Sequence, residues 1–192
     1  MTELVTGRLL LRPFQAGDLE AFVAYRSDPE VARYQGWDPT YSMADAQRFL
    51  VEQRGVGFAQ PGAWLQLAIV DRATGLLQGD CAVRGASDQP ATAEVGVTLA
   101  RGSQGRGVAT EALTAVLSEL FARHAMHRVV AQVDDRNAPV QRLLDRLGFR
   151  REGRLVEADW FEGAWTTLCC YALLEREWST RVPLEPDQTG AG

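Results

Sequence analysis

The chain has 192 residues, a formal net charge of −5 and three cysteines. Its length suits one domain with its own core, expected over residues 1–179, and its acidity argues against nucleic acid held on a broad basic face. No apolar run approaches the roughly 20 residues that cross a bilayer, and an N-terminus with Glu3 near its start does not read as a secretory signal.

Residues 8–13 read as a first strand. Residues 18–27 read as a helix with Leu19, Phe22, Val23 and Arg26 at helical spacing, and 29–34 as a short second helix. Ser42 is placed to cap a third, with Ala46, Phe49 and Leu50 facing inward. Residues 64–71 and 76–84 are strands around the turn Arg72-Ala73-Thr74-Gly75. Residues 91–99 alternate Ala91, Ala93, Val95, Val97 and Leu99 against Thr92, Glu94, Gly96 and Thr98, as a strand does.

The stretch from Gln104 to Leu113 follows that strand. Small residues alternate in Gly105-Arg106-Gly107-Val108-Ala109-Thr110, and a helix begins there, with Leu113, Val116, Leu117, Leu120 and Phe121 forming one apolar stripe. Unhindered peptide N–H groups at the positive end of a helix dipole suit a pyrophosphate. A P-loop would need Gly-Lys-Ser/Thr, which is absent. A dinucleotide fingerprint would need a third glycine or alanine where Thr110 stands.

Residues 127–134 read as another strand. Asn137 is an N-cap, Pro139 sits in the first turn, and Val140, Leu143, Leu144 and Leu147 form a buried stripe that stops at Gly148. Two more strands, 149–159 and 165–175, meet at a turn at Glu162 and Gly163, and residues 180–192 read as a disordered tail. A strand–helix–strand crossover beside antiparallel hairpins makes the class α+β with a mixed sheet. Cys169 and Cys170 are neighbours facing opposite ways, so with Cys81 they read as small buried hydrophobes of a reducing cytoplasm. Two histidines without spaced cysteine or carboxylate partners give no metal site.

Gln104-x-x-Gly107-x-Ala109 resembles the cofactor loop of the GNAT acyl-CoA N-acyltransferases, Gln/Arg-x-x-Gly-x-Gly/Ala. Asn137 with a short helix ending in Leu147-Gly148-Phe149 is similar to the second signature of that family. The opening Gly7-Arg8-Leu9-Leu10-Leu11-Arg12-Pro13, followed by Ser27-Asp28-Pro29-Glu30-Val31, resembles the RimJ/RimL branch, whose characterised members acetylate ribosomal-protein N-termini. The resemblance implies a mixed, mainly antiparallel sheet of about seven strands flanked by helices, with a central parallel pair splayed apart. It also implies acetyl-CoA as co-substrate, direct transfer to a protein N-terminus or a small amine such as an aminoglycoside or polyamine, and a monomer or homodimer. A CoA-binding sensor or interaction module with weak turnover is the alternative.

The family's roles transfer to particular residues here. Gln104, Gly105, Arg106, Gly107, Val108, Ala109 and Thr110 would hold the pyrophosphate, with Arg142 nearby, and backbone N–H groups around Val95 and Val97 would meet the thioester carbonyl. Glu94 is the expected proton acceptor, or else an ion-paired sheet residue. Asn137 would contact the pantetheine or a catalytic water while also capping its helix, because a cap uses only the side-chain oxygen. Trp37, Asp38 and Trp160 are expected at the acceptor slot, in the same stretches as Asp159 and Glu162; edge packing or a dimer contact is the other reading. Many relatives carry a tyrosine at the Leu144 position and RimL-like ones a serine at Val140. Without them the general acid is open, and Tyr34 and Tyr171 are the substitutes named by residue type.

Overall fold

The computed structural model describes residues 3–35, 37, 40–161 and 163–181. The strand Leu65–Asp71 sets the layering, because it is apolar on both faces. Leu65, Leu67 and Ile69 enter the larger core cluster, while Ala68 and Val70 enter the smaller one. A strand buried on both sides belongs at the centre of a covered sheet.

In chain order the elements are β1 (Leu4–Val5), β2 (Leu9–Pro13), α1 (Leu19–Arg26), α2 (Pro29–Ala32), α3 (Met43–Glu52), β3 (Leu65–Asp71), β4 (Leu77–Gly85) and β5 (Thr92–Leu99). There follow α4 (Val108–Ala122), β6 (Arg128–Asp134), α5 (Ala138–Leu147), β7 (Arg150–Phe161), β8 (Ala164–Leu174) and α6 (Glu175–Ser179). The sheet runs β1-β2-β3-β4-β5-β6-β8-β7. Its eight strands exceed the expected seven by the two-residue edge strand β1, which pairs with Leu10 and Leu11. Helices α4 and α5 cover one face through Leu113, Val116, Leu117, Leu120, Leu143, Leu144 and Leu147. Phe22 and Tyr25 of α1 and Phe49 of α3 cover the other.

Local signals explain most boundaries. Ser42 caps α3, with Asp45 reaching back to the Ser42 amide at 2.8 Å. Asn137 caps α5 through the Val140 amide, and Gly148 ends that helix at φ 92°. The second helix is shorter than expected. The Gln35 amide bonds back to the Ala32 carbonyl at 2.8 Å, a tight turn that carries Tyr34 and Gln35 out of the helix. Thr180 and Arg181, expected to lie in the tail, are ordered against the fold. The Arg181 amide bonds the Trp178 carbonyl at 2.9 Å, and its guanidinium lies where a Cβ on Gly148 would stand, 2.6 Å from Cζ. Residues 182–192 lie outside the described residues.

Every strand pair is antiparallel except β5 and β6. That parallel pair has three rungs: Thr92↔Arg128, Ala93↔Val129 and Glu94↔Val130. Beyond them β5 keeps β4 and β6 keeps β8, so the sheet opens between residues 95–99 and 131–134.

Candidate active site

Backbone parity decides what the opening offers. The Ala86 amide bonds the Thr92 carbonyl and the Ala100 amide bonds the Gln78 carbonyl, both at 2.9 Å, so even-numbered residues of β5 direct their peptide groups to β4. Odd-numbered residues point the other way. The Val97 N–H and the carbonyls of Val95 and Val97 therefore face the gap. Across it, the Asp135 amide on the Thr167 carbonyl (2.9 Å) fixes the parity that turns the Gln132 peptide groups inward. Of the amides expected to meet a thioester carbonyl, Val97 supplies the one beyond the last rung.

The outer half of the opening is a cleft of about 410 Å³ between the start of α4 and α5. Gln104, Gly105, Gly107, Val108, Ala109 and Thr110 line one side, and Asn137, Arg142 and Arg146 the other. The first intrahelical bond of α4 runs from the Glu111 amide to the Gly107 carbonyl at 3.0 Å, leaving the amides of Val108, Ala109 and Thr110 without helical partners. Gly107 holds φ 78°, a conformation only glycine adopts without strain. Glu111 locks this turn to the N-terminal strand, accepting from Thr6 Oγ1 at 2.6 Å and pairing with Arg8 at 2.7 Å. Burial opposes its ionisation, yet those bonds outweigh burial and hold the carboxyl below its ordinary range. The donor set fits a pyrophosphate: open amides, a helix N-terminus and two guanidiniums.

Arg106 departs from expectation. It does not line the cleft; its carbonyl accepts from Arg8 at 3.2 Å. Arg146 takes the place on the wall, four residues after Arg142 on the same helix face, with Nη1 3.3 Å from Thr110 Oγ1. That i, i+4 spacing was the available sequence signal.

The inner half is a cavity of about 170 Å³ that passes through the sheet. Leu113, Val140 and Leu144 line it on the α4/α5 side, and Tyr34, Gln35, Asp159, Phe161 and Thr166 on the opposite side. Tyr34, Gln35, Val97, Asn137 and Val140 line both halves, so they mark the junction. Asn137 gives its Oδ1 to the cap, while its amide hydrogens have no partner among the described hydrogen bonds. Asp134 also lines the inner cavity, but hydrogen bonds from the Arg136 guanidinium at 2.7 and 2.9 Å hold its carboxyl below the usual range.

Two aromatic residues expected at the acceptor slot line neither half of the opening. Trp160 is 58% exposed and stacks edge-on against Trp165, their centroids 5.1 Å apart. Side chains alternate along β7, so its neighbours Asp159 and Phe161 are the ones facing the cavity. Trp37 lines neither half. Its ring covers the Arg26 guanidinium at 3.9 Å and its Nε1 donates to the Arg26 carbonyl at 3.2 Å. Arg26 itself is buried beside Asp80, which accepts from the Tyr25 hydroxyl, and burial raises the Asp80 carboxyl above its ordinary range. This network fastens the segment after α1 to the sheet. Asp38 and Glu162 lie outside the described residues.

Glu94 occupies the last rung before the sheet opens. It shares a strand face with Gly96, which lines the inner cavity about 7 Å further on. Its carboxylate is held by Arg84, whose guanidinium lies 4.5 Å from the Trp64 ring centre. Val140 and Leu144, the positions at which the resemblance implied a hydroxyl, face the cavity as hydrocarbons. Tyr171 is buried in the core with its hydroxyl 3.4 Å from Gln141 Oε1, away from both halves.

The "Acetyltransferase (GNAT) domain" family matches residues 8–150. An uncharacterised N-acetyltransferase of Bacillus licheniformis is 28% identical over 179 residues, covering 93% of this chain and 99% of that one. The [ribosomal protein uS5]-alanine N-acetyltransferase of Escherichia coli is 31% identical over 85 residues, 44% of each chain. A GNAT-family acetyltransferase from Bacillus anthracis superposes with a TM-score of 0.82 at 25% identity, over 92% of this chain and all of that one. With the family's domain matched over residues 8–150 and a GNAT-family structure superposing on 92% of the chain, this protein belongs to the GNAT acetyltransferases and is an acetyl-CoA-dependent N-acetyltransferase.

Proposed function

We propose that the acetyl group passes directly to a primary amine, a protein N-terminus or a small cationic amine, that enters from the sheet face carrying Tyr34, Gln35 and Asp159. The observation that carries this reading is the cavity through the sheet: one mouth opens on the anion cradle, the other on a carboxylate with no cationic partner among the described ion pairs. Asp159 attracts the ammonium form, and the amine must then lose a proton to attack. Asp134 is the poorer acceptor for that proton because Arg136 keeps it ionised. Asp159, which lines the cavity without an ion-pair partner among the described residues, is the first proton acceptor of this reading; Glu94, paired with Arg84 at the root of the opening and lining neither half, is the second.

The nitrogen lone pair attacks the thioester carbonyl and the π pair moves onto oxygen, where the Val97 amide stabilises it. Collapse breaks the C–S bond and releases CoA. Holding the partners in line supplies most of the acceleration, since the thioester is already activated. Asn137 contacts the pantetheine through its free amide hydrogens, and Gln104, Gly105, Gly107, Val108, Ala109, Thr110, Arg142 and Arg146 hold the nucleotide end.

The opening motif at Gly7–Pro13 and the partial similarity to a ribosomal-protein N-acetyltransferase support a RimJ/RimL-like acceptor, an exposed N-terminus. Three free thiols fit a cytoplasmic enzyme, and no helix among the described residues is long and apolar enough to cross a membrane. The apolar Val140 and Leu144 favour one second reading, a CoA-binding sensor. Incubation with acetyl-CoA and a panel of peptides, polyamines and aminoglycosides, followed by mass spectrometry, separates the two. An acetylated amine is expected; tight CoA binding without any acetylated product would establish the sensor.

A further inference from the structure

Resting on that acetyltransferase reading, we infer that Tyr34 is the proton donor to the departing CoA sulfur. The reacting thioester must lie where the cofactor cleft meets the acceptor cavity, and five residues line both: Tyr34, Gln35, Val97, Asn137 and Val140. Among these only Tyr34 carries an ionisable O–H. Its hydroxyl makes no hydrogen bond among the described residues. The helix positions that face the same space, Val140 and Leu144, are hydrocarbons, and Tyr171 points into the core.

The ring is braced where it stands. The Arg33 guanidinium lies 5.3 Å from its centre and that of Arg136 lies 5.9 Å away. Arg136 is held by Asp134 at 2.7 Å, while Arg33 stands 3.9 Å from Glu30, both of them exposed. Among the described residues, Glu30, Asp134, Asp159, Arg142 and Arg146 share the lining of the two halves with Tyr34. The turn closed by Gln35 and Ala32 sets the backbone, and Trp37 anchors the segment's next described residue onto Arg26.

As the C–S bond breaks, its electron pair stays on sulfur and the Tyr34 hydroxyl proton passes to it. The phenolate, the stronger base of the two, recovers a proton that the acceptor nitrogen releases through solvent. Free CoA thiol, the amide and an unchanged tyrosine result.

The test is Tyr34→Phe, which keeps the ring and its bracing, with Tyr171→Phe as a control. Two quantities are read: kcat and KM with the best amine of the panel, and the ultraviolet thiolate absorbance of enzyme-bound CoA across pH. Loss of the donor is expected to lower kcat about 100-fold with KM for acetyl-CoA unchanged. It is also expected to raise the titration midpoint of the bound thiol by about one pH unit. Unchanged kcat would overturn the proposal. So would a slowed enzyme whose bound thiol titrates as in the wild type, since Tyr34 would then act only on the acceptor. A wild-type protein that binds CoA, shows the Tyr34-dependent thiol shift and acetylates nothing would sink the transfer reading while upholding the contact.

Discussion

Glu94 and Val130 are the last residues at which the two parallel central strands are paired; one residue further, the strands part and the active cavity begins. The carboxylate of Glu94 is tied to Arg84 on β4, so the rung is fastened on both flanks. Everything placed along the cavity counts outward from this point: the Val97 amide and Gly96 on one lip, Gln132 and Asp134 on the other.

On the proposed reading, Gly96 leaves space in the cavity for the acceptor. A Cβ there would meet nothing closer than the Ala82 Cβ at 3.8 Å, ordinary contact, and the backbone is not in a glycine-only conformation. Gly96→Ala is therefore expected to leave the stability unchanged or raised by at most about 1 kcal/mol, with the melting temperature following. Because the methyl enters the cavity, kcat/KM for the amine should fall about tenfold. Calorimetry beside steady-state kinetics checks both, and a stable variant with full activity would remove Gly96 from the acceptor path.

Gly107→Glu places a carboxylate at the helix N-terminus and forces an L-residue to φ 78°. The conformational cost is about 1–2 kcal/mol, which a core of this size tolerates. Isothermal titration should show CoA affinity reduced at least 100-fold in a folded protein. Retained affinity would disprove the anion cradle.

Pleat parity makes Asp159 and Trp160 separable. Asp159→Asn should lower kcat/KM for a cationic amine about 10- to 100-fold, whereas Trp160→Ala, a change on the outward side, should alter it less than threefold. Glu94→Gln distinguishes the second carboxylate: if it takes the amine proton, the loss is greater at low pH, where the amine is charged, and fades at high pH. A pH-independent loss in Glu94→Gln would leave it a structural partner of Arg84.

The surface cluster of Arg128, Arg150 and Glu152 makes a small, solvent-screened contribution to acid stability. Hydrogen bonds from Arg128 and Arg150 lower the Glu152 carboxyl to about 2. A carboxylate whose folded pKa lies below its unfolded value of about 4.3 stabilises the protein above that value and loses the contribution as pH falls toward the folded one. Glu152→Gln should therefore melt earlier than wild type at pH 7 and converge with it near the acid end. Parallel thermal melts across pH would show a constant gap if the cluster were unlinked to folding.

Much of this was legible before any coordinates. The α4 stripe, the Asn137 cap and the Gly148 stop are local signals, and each element they define falls within a residue or two of its expected bounds. The cradle followed from the same segment, since open amides are a property of a glycine loop entering a helix. What escaped was long-range. Whether Asp159 or Trp160 faces inward depends on β7–β8 register and on the bulge between Leu155 and Asp159, neither of which is written in a hydrophobic pattern. Trp37 has the composition of a binding residue, but a buried guanidinium from α1 claimed its face. Tyr34 left its helix because of a turn that propensity does not encode.

The neighbouring placement of Asp159 and Trp160 has a consequence for how such chains diverge. Deleting a single residue between Leu155 and Asp159 would shift the remainder of β7 by half a pleat, putting the Trp160 indole where the Asp159 carboxylate now lines the cavity while the nucleotide end stayed untouched. On the proposed reading, a preference for cations would then give way to one for flat, uncharged partners in one mutational step.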